Sequence, residues 1–182
     1  MNVVLRITLV PFLILATFTV AKAETVELRA KLLDRVSELE EATLNQDFWA
    51  VTQLMPPRVL DVYASRGGVS RQVLQKAIVK RMEEVVAQVT VHESASMTGR
   101  TTFHPVSDEL LFAVIPMRFV VQVGNGPNVE ADEQQIAVYG GTNWYLMRVA
   151  NPAHRDAFVQ AYPSIVGTPF ERTLNTIANK SN

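Results

Sequence analysis

Three histidines, His92, His104 and His154, are the side chains of this sequence best suited to move a proton near neutral pH, and they fall in three different predicted elements. His92-Glu93 begins in the manner of a metalloprotease helix, but Ser96 stands four residues on, where a second histidine would have to bind zinc. Gly68-Val69-Ser70-Arg71-Gln72 starts as a nucleophile elbow does, yet Gln72 replaces the second glycine and no strand leads into it, so Ser70 reads as a helix cap. Gly124-Asn125-Gly126 precedes Pro127 between two predicted strands and reads as a hairpin turn, with no helix N-terminus to hold a phosphate. Glu83-Glu84 and Asp132-Glu133 are paired in sequence only, and solvated faces account for both. Cysteine is absent, which excludes disulfides, thiolate catalysis and cysteine-bearing zinc sites. No catalytic set, metal site or cofactor is expected.

The pattern that points to binding is Arg118 and Arg148, each alternating with apolar residues on a predicted strand. Facing one cavity, two guanidinium groups would favour a carboxylate- or phosphate-bearing ligand through bidentate hydrogen bonds. Trp144 and Tyr145 would supply an aromatic wall, although strand alternation lets only one of the two face inward. The alternative is that both arginines cover the outer face of the sheet or pair with Glu130 or Asp132. For an isomerase- or dehydratase-like enzyme the acid–base candidates are Asp61, Tyr63 and His92.

The elements that must position these residues change period near residue 88. Before it, Leu32, Leu33, Val36, Leu39 and Ala42 recur at helical spacing within a helix from Glu24 to Leu44. Asp47 is placed to cap a second helix from Phe48 to Met55. Pro57 opens a third that stops at Gly67-Gly68, and Ser70 caps a fourth to Gln88, with Val73, Leu74, Ala77, Ile78, Met82, Val85 and Val86 expected inward. After it, strands are predicted over Val89–Met97, Thr101–His104, Leu110–Val123, Val129–Tyr139 and Trp144–Val149, with Asp108-Glu109 opening the strongest. Pro116 marks a bulge or an edge, because it has no N–H to donate. A closing helix covers Ala153–Ala161, and residues 166–182 read as an irregular tail with at most a helical turn near Phe170–Ile177. The expected fold class is α+β, with N-terminal helices packed on a curved, mainly antiparallel sheet and a short C-terminal helix, in a single domain over 24–165.

Residues 1–23 read as a secretory signal peptide: Arg6, an apolar run from Ile7 to Val20, then the small-residue site Ala21-Lys22-Ala23. The apolar run is short of the about 20 residues that span a bilayer, so cleavage after Ala23 is expected rather than a retained anchor. Cleavage leaves 159 residues with 15 basic against 18 acidic side chains, a net charge of −3. Such a chain has no electrostatic footprint for nucleic acid or anionic lipid. Export without cysteine favours a bacterial periplasm.

The segment Leu44-Asn45-Gln46-Asp47-Phe48-Trp49-Ala50, followed by Leu54-Met55-Pro56, resembles the helical opening of nuclear-transport-factor-2-like (NTF2-like) domains. Ile136–Tyr139, Gly140-Gly141-Thr142-Asn143 and Trp144-Tyr145-Leu146-Met147-Arg148-Val149 resemble that family's last hairpin. The chain is also similar to small secreted bacterial proteins of unassigned function, through Pro56-Pro57, Gly68-Val69-Ser70, Ile115-Pro116, Trp144-Tyr145-Leu146 with Arg148, and Tyr162-Pro163. The resemblance implies a strongly curved sheet wrapped around a helix to leave a cone-shaped cavity, and a tendency to homodimerise through the sheet. It confers no activity by itself, since the superfamily holds isomerases, dehydratases, carriers and adaptors. One departure is that helices precede the first strong strand, which leaves either a short strand near Val59–Tyr63 or a variant topology. The expected function is an exported, non-catalytic binding or accessory domain for a small amphipathic or anionic ligand or an envelope protein partner. The alternatives are a cavity-based isomerase- or dehydratase-like enzyme, and a structural component of an envelope assembly docked through the first helix.

Overall fold

A computed structural model describes residues 16–107 and 110–180 of the chain, with side chains described from Val26 to Asn179. Four helices come first: α1 (Ala16–Leu44), α2 (Phe48–Leu54), α3 (Pro57–Arg66) and α4 (Arg71–Val86). Their starts follow the local chemistry. The Asp47 side chain accepts from the Ala50 N–H (3.0 Å) and Ser70 from the Val73 N–H (3.3 Å), while Pro57 occupies the first turn of α3. Val59–Tyr63 therefore lies on a helix, and no strand forms there. Residues 1–15 of the expected signal peptide, and Asp108-Glu109, expected to open the strongest strand, lie outside the described residues. The backbone of α1 continues through Ala21-Lys22-Ala23.

Five strands follow: β1 (Val89–Ser96), β2 (Thr102–Ser107), β3 (Leu110–Val123), β4 (Asn128–Tyr139) and β5 (Trp144–Arg148). They form one curled antiparallel sheet in the order β1-β3-β4-β5, with β2 also on β3. β1 pairs with Met117–Val123 and β2 with Leu110–Val114, so the two lie end to end along the same edge of β3. The break between them is opposite Pro116. The Met97 N–H donates to the Pro116 carbonyl (2.7 Å), and on an antiparallel strand a residue's N–H and C=O face the same neighbour. The proline's missing donor therefore faces this edge, and the chain turns through a short 3-10 segment, Thr98–Arg100. Pro116 itself sits on an interior strand, with the irregularity displaced to its neighbour. Register shifts leave His92 and Val106 as extra residues in β1 and β2, a common way to blunt an edge against further pairing.

Both faces of the sheet are covered near β5. On one, Leu32 and Val36 of α1 pack on Ala113, Ile115, Ala137, Trp144 and Leu146. On the other, Phe112, Val114, Ile136, Val138 and Met147 meet Val59 and Val62 of α3, Phe158 of α5 (Pro152–Ala161) and Phe170, Leu174 and Ile177 of α6 (Pro169–Lys180). Each large side chain so buried contributes about 1.5–3 kcal/mol.

Two expectations are corrected here. Residues 166–182 are not an irregular tail, because Pro169–Lys180 is a helix whose apolar side is in the core. Thr168 accepts from the Glu171 N–H (3.3 Å) while the Glu171 carboxylate accepts from the Gly167 N–H (2.7 Å), an arrangement akin to a capping box. The predicted stripe of α4 is only half used. Leu74, Ile78, Met82 and Val86 are half-buried, Val73, Ala77 and Val85 are exposed, and the buried residue is Gln75, whose amide donates to the Thr52 carbonyl (3.4 Å).

Candidate ligand-binding cleft

The sheet register decides the arginine question. Arg118 pairs with Asp132 across β3–β4, and Arg148 pairs with Gln135 across β4–β5. Positions 132 and 135 have opposite parity on β4, so the two arginines leave the sheet from opposite faces. They do not converge on one anion. Arg118 lies 3.7 Å from Glu130 and 3.9 Å from Asp132, and Arg148 is ion-paired with Glu133. Arg118 and Arg148 are about half exposed, so these pairs each carry about 0–1 kcal/mol. The expectation that they line a cavity is replaced by surface ion pairing.

Trp144 is likewise a core residue and not a ligand wall. It is fully buried, and its indole N–H donates to the Leu28 carbonyl (2.9 Å), fastening β5 to α1. Tyr145, on the opposite face as alternation requires, is half-buried and does line a cleft.

The acid–base candidates are engaged separately. Asp61 holds Arg71 in a two-point exposed ion pair (2.7 and 2.5 Å), and His92, the bulged edge residue, contacts Gln122 (3.2 Å). Tyr63 is half-buried; its hydroxyl is buried with no hydrogen-bond partner, and its ring meets His154 edge-on at 6.4 Å. Burial raises the Tyr63 pKa, opposed by Arg66. His154 Nδ1 accepts from the Ala150 N–H (3.2 Å), which assigns the ring proton of the neutral form to Nε2. Burial lowers its pKa, and the charge of Arg148 lowers it further. Burial also lowers that of His104, which lies against Phe170 at 5.3 Å. Among the described residues no group of three His, Asp or Glu side chains could hold a metal.

A concavity of about 740 Å³ lies at the end of the sheet. Its walls come from the middle of α1 (Glu27, Leu28, Lys31), the start of α3 (Pro57, Arg58), Leu110, Tyr145, Tyr162 and the β4–β5 turn at Tyr139-Gly140-Gly141. The turn is set by two features. The Tyr139 hydroxyl donates to the Gly141 carbonyl (2.7 Å), and Gly141 adopts φ +83°, which disfavours side chains. Gly140 lets the Tyr145 ring close in, since a Cβ there would fall 3.1 Å from its edge.

The charges of the cleft are unevenly matched. Lys31 is paired with Glu27 (2.7 Å), and each charge favours the other: the Glu27 pKa is lowered and that of Lys31 raised, first through their hydrogen bond. Arg58 lies over the Tyr162 ring, 5.6 Å from its centroid, and among the described residues it has no carboxylate partner. Tyr162 is only 5 % exposed, and its hydroxyl makes no hydrogen bond among the described residues. Burial, against the pull of Arg58 and with Tyr145 adding to it, pushes its pKa up to about 12, so the hydroxyl is a proton donor at neutral pH. Pro56 and Pro57 open α3 with no N–H to satisfy, and the Val59 N–H donates to the Pro56 carbonyl (3.0 Å), so the Arg58 N–H is the one first-turn donor left without a backbone acceptor. Sequence reasoning missed Arg58 and Tyr162. The signal available was modest: an arginine directly after a Pro-Pro helix start, and the Tyr162-Pro163 break. Comparison of the chain with protein families, curated proteins and solved structures gives no match.

Proposed function

We propose that this chain is an exported, non-catalytic binding domain that takes a small amphipathic ligand in the cleft at the end of its sheet. The observation that carries this reading is the lining: three tyrosines with Leu28, Pro57 and Leu110, and an arginine without a carboxylate partner among the described residues. The lining mixes polar and apolar surface in about equal parts, which suits a ligand with one apolar and one polar end. The apolar run closed by Ala21-Lys22-Ala23 supports export and a periplasmic setting. The curled sheet behind four helices supports kinship with NTF2-like domains. The apolar stripe of α1 is largely spent on the sheet, which leaves the accessory-helix alternative less surface to use.

Native mass spectrometry on the protein purified from its own export compartment tests the reading. The expected mass is that of a chain beginning at Glu24 plus a reproducible increment lost on denaturation. A bare protein overturns the ligand, and an intact N-terminus overturns the cleaved export form.

A further inference from the structure

We infer that the cleft selects a carboxylate, held on a planar apolar body, through Arg58, by its guanidinium and its N–H at the start of α3, and the Tyr162 hydroxyl. This rests on the binding reading above and adds the class of ligand. Two side-chain donors border the cleft without an acceptor among the described residues, the guanidinium of Arg58 and the hydroxyl of Tyr162; at the start of α3, Pro56 and Pro57 carry no N–H and the Val59 N–H donates to the Pro56 carbonyl (3.0 Å), so the Arg58 N–H is the one first-turn donor left. A helix N-terminus and a guanidinium both favour negative charge, and a phenol hydroxyl bordering the cleft can donate to a carboxylate oxygen.

Charge arithmetic within the cleft chooses the anion. Glu27 neutralises Lys31, so Arg58 is the sole unpaired cation among the described lining residues. One cation matches a monoanion. A dianionic phosphate would leave one of its charges without a partner in the cleft. The body of the ligand follows from the walls, where Tyr139, Tyr145 and Tyr162 offer rings and Leu28 and Leu110 offer aliphatic surface.

The test compares naphthalene-2-carboxylate with its neutral amide, naphthalene-2-carboxamide, by titration calorimetry on the purified protein and on Arg58→Gln and Arg118→Gln. Both substitutions remove one exposed positive charge, but only one is in the cleft. The carboxylate is expected to bind about tenfold or more tightly than the amide, from one charge-assisted contact. Arg58→Gln should abolish that preference and leave the affinity for the amide unchanged, while Arg118→Gln preserves it. Equal binding of the two probes, or a preference that survives Arg58→Gln, overturns carboxylate selection and leaves a binding cleft standing. Failure of both probes to bind overturns the selection together with the reading beneath it.

Discussion

Replacing Phe170 by alanine should destabilise the protein by about 3–5 kcal/mol, the range for truncating a buried phenylalanine. The structure accounts for the size. Phe170 is 1 % exposed, stacks on Phe112 with ring centroids 4.4 Å apart and planes 13° apart, and lies on the central sheet. Burial of the ring contributes about 1.5–3 kcal/mol and the aromatic pair about 0.5–1.5 more. The cavity left against Phe112 and Leu174 supplies the remainder, because both are held by the sheet and by α6 and relax little. For a domain of this size that loss lowers the melting temperature by roughly 6–20 °C. Urea unfolding followed by fluorescence is the assay: Trp144 is fully buried and reports the core, and an unchanged m-value would show that the unfolded state is the same. Val166→Ala, at a residue 59 % exposed just before α6, serves as a control and should change stability by no more than about 0.5 kcal/mol. A loss below about 1 kcal/mol for Phe170→Ala would refute the docking of α6, since it falls short of even the burial contribution.

Acid should weaken the fold through His154. Its folded pKa lies below the ordinary 6.5, so the unfolded chain binds the proton first, and stability is full above pH 6.5 and lost as pH falls toward the lowered folded value. His104 shifts the same way, so His154→Gln should reduce the pH dependence of the urea midpoint without removing it; an unaltered slope would sink the assignment. Arg118→Ala should leave stability within about 0.5 kcal/mol of the parent and leave any bound ligand in place, because its ion pairs are exposed. Loss of ligand in that variant would return the site to the sheet face.

Much of the architecture was legible because it is written locally. Asp47, Ser70 and Asn151 each cap the helix that follows them, the Pro57 start is visible in the chain, and the alternation in Leu110–Val123 marks β3 over its full length. The last helix was legible too, in Phe170, Leu174, Ile177 and Ala178 at helical spacing and in Thr168 with Glu171. The polar residues between them and the nearby Gly167 and Pro169 obscured it. The α4 stripe shows the converse, since apolar periodicity names a helix without saying how much of it a neighbour will cover.

The site was not legible for a physical reason. Period two assigns Arg118 and Arg148 to faces of their own strands, but only the β3–β4 and β4–β5 registers relate those faces, and they turn out to be opposite. Trp144 and Tyr145 were correctly split by alternation, and the docking of α1 then made the first a core residue fixed to Leu28. The cleft draws Lys31, Arg58, Tyr145 and Tyr162 from four distant stretches of sequence, and no local rule brings them together. Sequence alone determined the five strands, the helices before the last and the α+β class, because those depend on neighbours a few residues away. Tertiary structure decided which charges are satisfied and where a ligand could sit, because burial and ion pairing depend on what the fold places opposite each side chain.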